Sequence, residues 1–218
     1  MSQSAPRIPG QRRGAVIAIV AVVCFSTSPV FVLAANATFS PLEIAFWRVF
    51  IATGFVGVLG VITRTAMRLR KGEWRRFVLY GLALALHLAC YVASLSFTTI
   101  AHTVSLTYTS PIFITILSAV FLRERPTTTA VLGLIVAVIG IGILSGFQPN
   151  YGQCDVQHGH CAVLGDGLAL GAAIFASIYS VVGRLERERQ PLFRYTFYVY
   201  GFAALWLAPM EIALAGAH

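Results

Sequence analysis

Among its 218 residues this chain has a single lysine, eight acidic side chains and an 11% share of charged residues, too few to keep a soluble domain of this size in water. None of the acids falls deep within an apolar stretch, so a carboxylate proton relay has no candidate. The sequence also lacks Gly-x-Ser-x-Gly, His-Glu-x-x-His and any phosphate-binding glycine loop, and no nucleophile stands beside a base. The expectation is a protein that is not an enzyme, with no catalytic residue, no cofactor and no metal.

What is present is apolar: 57% hydrophobic residues and a mean hydropathy of +0.78. About 20 such residues cross a bilayer as a helix, and seven stretches qualify: Gly14 to Ala35, Pro41 to Ile62, Phe77 to Phe97, Ala101 to Leu122, Thr128 to Phe147, Val163 to Gly183 and Tyr195 to Ala215. The fold class predicted is an all-α polytopic membrane protein. Seven spans raise the thought of a retinal protein, but Lys71 lies between spans and leaves no intramembrane amine for a Schiff base.

The net charge of +8 does not point to nucleic acid, because its placement follows the membrane. Fifteen of the sixteen basic residues precede the first span or lie between spans two and three, four and five, or six and seven, all on one side if the spans alternate; the sixteenth, Arg48, is inside a span. Basic span ends mark the cytoplasmic face. The N-terminus is therefore expected inside the cytoplasmic membrane and His218 outside. A cleaved signal peptide is the competing reading of the first span, but its apolar stretch is too long for an h-region of roughly 7–15 residues.

The longest outer segment, Ser145 to Ala162, divides five spans from two. An offset of 150 places Phe25 on Phe175, Pro41 on Pro191, Leu42 on Leu192 and Val49 on Val199. If this faint match is a repeat, an odd number of spans inverts the second copy, as in many secondary transporters. The organisation expected is a first unit over 1–147, an outer loop over 148–162 and a partial second unit over 163–218. Glycines at 54, 57 and 60, from 133 to 142 and from 165 to 171 suit close helix packing, because lipid supplies no hydrophobic push between helices.

Polar groups inside the spans are the candidate solute contacts. Pro111 deprives the Thr107 carbonyl of its helical partner at mid-span, with Thr103, Thr107 and Ser110 on one face; Pro29 does the same to Phe25, beside Ser26. Such breaks are tolerated where a neighbour or a wet cavity satisfies the freed groups, so ordinary kinks and a central site are both open. His87 shares a face with Tyr91 and Ser94 and is either a satisfied interior histidine or a group that binds solute or moves protons. Arg48 lies about 10 Å from the outer end of its span, about 140° around the helix from Glu43, and is either a structural tether or a clamp for a carboxylate or phosphate. Cys154 and Cys161 lie on the oxidising side and can form a disulfide; free thiols remain the alternative, and a metal site crowded into one short loop fits no familiar spacing.

The run ALHLACYVASLSFTTIAHTVSLTYTSPIFITILSAVFLRERPTTTAVLGLIVAVIGIGIL, within Leu82 to Leu144, resembles the EamA domain of the drug/metabolite transporter superfamily: small residues in the third helix, Ser-Pro at the middle of the fourth, Glu124 at its cytoplasmic end and a glycine-rich fifth. SPLEIAFWRVFIAT with Arg48 is similar to the family's second helix, and Gly165 to Gly183 resembles the start of a second repeat. The resemblance implies a ten-helix secondary transporter of two inverted five-helix repeats, exporting small metabolites, amino acids or drugs by alternating access. Ser110 and Pro111 would line its cavity, while Glu124 would anchor a helix end. The partners implied are a small-molecule solute and the bilayer. The present chain stops three helices short, so the expectation is a fragment, a product completed by another chain or a second copy, or a non-transporting subunit or remnant.

Overall fold

The computed structural model describes residues 11–35, 37–69, 72–123, 126–146, 161–187 and 189–215. These form helices α1 (Gln11–Ala35), α2 (Pro41–Ile62), α3 (Trp74–Phe97), α4 (Ile100–Thr107), α5 (Ser110–Leu117), a π-turn (Ser118–Leu122), α6 (Thr128–Gly146), α7 (Cys161–Arg187) and α8 (Leu192–Ala215). No strand occurs among the described residues. Four stretches are long and apolar enough to cross a membrane: α2, α3, α4 together with α5 and the π-turn, and Val163–Glu186 within α7. Val22–Ala35 and Thr128–Ile143 are shorter apolar helices. The protein is a multi-pass membrane protein.

Local chemistry sets the helix ends. Ser40 and Glu43 form a reciprocal capping box, Glu43 N–H donating to Ser40 Oγ at 3.1 Å and Ser40 N–H to Glu43 Oε2 at 2.7 Å, with Pro41 at the first helical position. Glu43 is thereby engaged with its own helix start. Thr99 caps α4 by accepting from the His102 N–H at 3.2 Å.

The fourth span is broken where the proline predicts. The Tyr108 N–H closes α4 on the Val104 carbonyl, and α5 restarts at Ser110 with Pro111 in its first turn. There an absent N–H costs nothing, since no helical acceptor precedes it. The first span differs from expectation: α1 continues through Pro29 as one helix.

Helix α3 is the centre of the bundle. It packs against α7 and α8, α2 lies on α8 and α3, and α4 and α5 lean on α7. The contacts are made by small side chains: Ala85 and Ala89 on α3, Ala169, Ala172 and Ala173 on α7, Ala203 and Ala204 on α8, all buried. Two glycines permit direct backbone approach. A Cβ at Gly81 would stand 2.9 Å from the Ala203 nitrogen and 2.5 Å from the Phe202 Cβ, and one at Gly165 would stand 2.9 Å from the Thr98 nitrogen. The glycines of α6 behave otherwise: a Cβ at Gly133, Gly140 or Gly142 meets nothing within 4 Å. Among the described residues they serve no helix contact.

The end of the bundle bearing the basic residues is knitted by polar links. Arg194 Nη2 meets Glu73 Oε2 at 2.6 Å, and the Tyr198 hydroxyl donates to the Met67 carbonyl at 2.5 Å. Glu186, only 5% exposed, accepts from the Tyr80 hydroxyl at 3.1 Å and from Gln190 Nε2 at 3.2 Å, with Arg76 Nη1 3.8 Å away. At the opposite end, Thr98 Oγ1 donates to Asp166 Oδ1 at 3.1 Å, and buried His102 places Nδ1 3.6 Å from the same oxygen. Asp166 thereby joins the α3–α4 turn to α7.

Candidate functional site

Between α1, α2, α3, α4, α5 and α7 lies a cavity of about 230 Å³. Its polar wall is Ser28, Arg48, His87, Tyr91, Thr107, Tyr108 and Ser110; Pro29, Leu88, Val104 and Ala176 complete it with apolar surface. The break in the fourth span creates this wall. By ending α4 at Thr107 and restarting at Ser110, the chain turns Tyr108 towards the same space as Thr107 and Ser110, whereas a continuous helix would set it about 100° from the first and about 160° from the second.

Arg48 is the one formally charged residue in the lining. Its Nη2 donates to Ser28 Oγ at 3.1 Å, which ties α2 to α1, while Nη1 is buried without a hydrogen-bond partner among the described residues. Thr107 Oγ1 is likewise buried and unpartnered. Unmet polar groups in a membrane interior are costly, and two of them belong to residues of this one cavity wall. Opposite, the His87 ring is held by Nδ1, 2.9 Å from the Ala172 carbonyl on α7, and lies over the Tyr91 ring at 6.2 Å between centroids. A carbonyl only accepts, so Nδ1 carries the proton and Nε2 of the neutral ring is left as an acceptor.

Six of the residues singled out in the sequence therefore meet: Pro29, Arg48, His87, Tyr91, Thr107 and Ser110. Four do not. Ser26 points away, returning its hydroxyl to the Val22 carbonyl at 2.8 Å on an exposed face of α1. Ser94 and Thr103 are fully buried; the Ser94 hydroxyl has the Tyr91 carbonyl at 2.8 Å and Thr103 Oγ1 at 3.1 Å as acceptors, the second fastening α3 to α4. Pro111 is exposed on the outside of the bundle and shapes the site only through the break that it allows. Cys154 and Glu124 lie outside the described residues, as does the side chain of Cys161.

Ser28, Leu88, Val104, Tyr108 and Ala176 were not foreseen. Ser28 had a signal, being twenty residues from Arg48 across a short turn. Tyr108 and Ala176 had none, because only the packing of α4 and α7 brings them to this space.

The described helices thus form a membrane-crossing bundle that gathers several polar side chains around one cavity. Residues 12–146 match the EamA-like transporter family, and the chain belongs to it. The pseudopaline exporter CntI of Pseudomonas aeruginosa, in strains UCBPP-PA14 and PAO1, is 30% identical over 200 residues, covering 91% of this chain. The chain spans 66% of the length of that relative. An uncharacterized transporter of Archaeoglobus fulgidus is 36% identical over 75 residues, which is 34% of this chain and 23% of that protein. A solved crystal structure of another protein superposes with a TM-score of 0.66 at 22% identity, covering 90% of this chain and 66% of that one. That likeness concerns the fold alone.

Proposed function

We propose that the protein is a secondary exporter that carries a small polar metabolite across the cytoplasmic membrane through the α1–α5 and α7 cavity. The observation that carries this reading is the pair of unmet buried groups, Arg48 Nη1 and Thr107 Oγ1, on the wall of a cavity opened by a broken span. The family, whose named relative is an exporter, agrees with it. The fifteen basic residues, all on one side if the spans alternate, support a cytoplasmic N-terminus.

Position along the helices supports an outward-facing reading. Arg48 is in the second turn of α2, while His87, Tyr91, Ser28 and Val104 lie in the outer half of their spans. Towards the cytoplasm the bundle is filled by Phe77 and the Tyr179–Tyr195 ring pair, centroids 6.4 Å apart, and then by the Glu186 and Glu73 links. The state is outward-facing, and export requires the inner layer to part while the outer one closes, as in alternating access. His87 Nε2 accepts an N–H or O–H of the solute, and the Tyr91 and Tyr108 rings exclude water from it.

The test uses cells that express the natural full-length protein, with metabolites in the medium measured by mass spectrometry. At least one metabolite is expected to accumulate outside, and Ala176→Trp, which fills the cavity with an indole, should cut that accumulation at least tenfold while the variant still elutes as a single species. Export unaffected by Ala176→Trp would remove the cavity from the pathway. A medium unchanged by expression would defeat the exporter reading.

A further inference from the structure

We propose that the cavity selects anions, its solute being recognised through a carboxylate that lies against the Arg48 guanidinium and the Thr107 hydroxyl. This inference rests on the reading of the cavity as the solute site. The observations are electrostatic and geometric. Among the described residues no Asp or Glu lines the cavity, so no acidic side chain of the described wall balances Arg48. Glu43, the acid nearest in sequence, is engaged in the capping box of α2. The single neutral partner of Arg48, Ser28, takes one of its two terminal nitrogens and leaves the other without an acceptor. An isolated guanidinium within a span is unfavourable by several kcal/mol until an acceptor of opposite charge arrives. Carboxylate matches a guanidinium in plane and spacing, and with one arginine present a singly charged group is balanced where a phosphate dianion is not. Thr107 Oγ1, also buried without a hydrogen-bond partner among the described residues, is a hydroxyl and adds a donor to an anion. The remainder of the wall, Leu88, Val104, Pro29 and the tyrosine rings, suits an apolar or aromatic body behind the carboxylate.

The test reads the field inside the cavity without needing the natural solute. In the full-length protein with its native cysteines replaced by serine, Ser110→Cys puts one thiol on the cavity wall. The purified protein in nanodiscs is treated with anionic sulfonatoethyl or cationic trimethylammonioethyl methanethiosulfonate. In both reactions the thiolate attacks the reagent's sulfenyl sulfur, a disulfide forms and methanesulfinate leaves, so the ratio of the two rates reports local charge. The anionic reagent is expected to be favoured, the ratio to fall about tenfold with Arg48→Gln and to be largely kept with Arg48→Lys. N-acetyl-leucine should slow labelling where N-acetyl-leucinamide, its uncharged counterpart, does not. A ratio indifferent to Arg48→Gln overturns the proposal, as does failure of both reagents to react or equal protection by both leucine derivatives. The export assay remains separate: export lost with the ratio intact removes the transporter reading, and export intact with an indifferent ratio removes only the anion site.

Discussion

Gly81→Leu should leave the protein unable to accumulate as a folded, monodisperse species, and Gly81→Ala should already lower its thermal stability. The reason is the distance between backbones. Even a methyl group at this position would sit 2.9 Å from both the Phe202 carbonyl carbon and the Ala203 nitrogen of α8. Main chain cannot rotate out of the way as a long side chain does, so α3 and α8 must separate. Overpacking of this kind costs about 1–3 kcal/mol and occasionally more, and a leucine exceeds what a small adjustment can absorb. The loss is not made up by hydrophobic burial, since lipid receives the separated faces as readily as protein does. The matched control is Gly133→Leu on α6, where an added Cβ meets nothing within 4 Å. Fluorescence-detected size exclusion and thermal unfolding of the three variants decide the matter. Equal behaviour of Gly81→Leu and Gly133→Leu would mean that the α3–α8 approach is not what holds the bundle.

Glu186→Ala should be the second severe change, acting at the opposite level of chemistry. Its carboxylate is 5% exposed and collects the Tyr80 hydroxyl from α3 and the Gln190 amide from beyond α7. Arg76, 3.8 Å away, contributes little, because its side chain is 62% exposed and water screens it. The damage comes instead from donors left without an acceptor, at about 1–3 kcal/mol for each buried one. Both donors here are part-buried, so the lower end of that range applies: a loss of about 2 kcal/mol, or about 4–8 °C in unfolding temperature for a chain of this length. Glu186→Gln keeps one acceptor oxygen for Tyr80 and should lose about half as much. If the outward-facing state is the resting one, Glu186→Ala also loosens its inner closure, and Ser110→Cys should then label more slowly from outside. An unchanged unfolding temperature would mean that water already serves these groups.

The placement of Arg48 beside Ser28 makes part of the guanidinium a tether between α1 and α2, while Nη1 has no hydrogen-bond partner among the described residues. A bilayer protein that needed only the tether would be served by a neutral side chain at far less cost. This is why the charge itself is the property tested, with lysine as the conservative replacement.

Hydropathy alone determined the helical, membrane-crossing character of this chain, and the bounds of α2 coincide with the stretch read from composition, Pro41 to Ile62. Covalent chemistry made the break at Pro111 legible, because a residue without an N–H leaves a helical carbonyl unmet and suits the first turn of a helix, yet α1 and α8 each carry a proline, Pro29 and Pro209, without ending. Arg48 and His87 were legible because ionisable groups are rare and costly at that depth. Facing was not. In a soluble helix the apolar side points inward, but here lipid and protein interior are equally apolar, so no amphipathic stripe distinguishes them. Ser26 and Ser28 are chemically alike and two residues apart, yet one bonds back to its own helix and the other meets Arg48. Pro29 left α1 continuous, while the break at Tyr108 turned that tyrosine into the cavity and left Pro111 outside. Ala176, Tyr80 and Glu186 acquire their roles from helices far away in sequence. The kinds of groups available were a property of the sequence; which of them converge on one cavity was decided by how α3 seats against α7 and α8, through backbone contacts that only small residues allow.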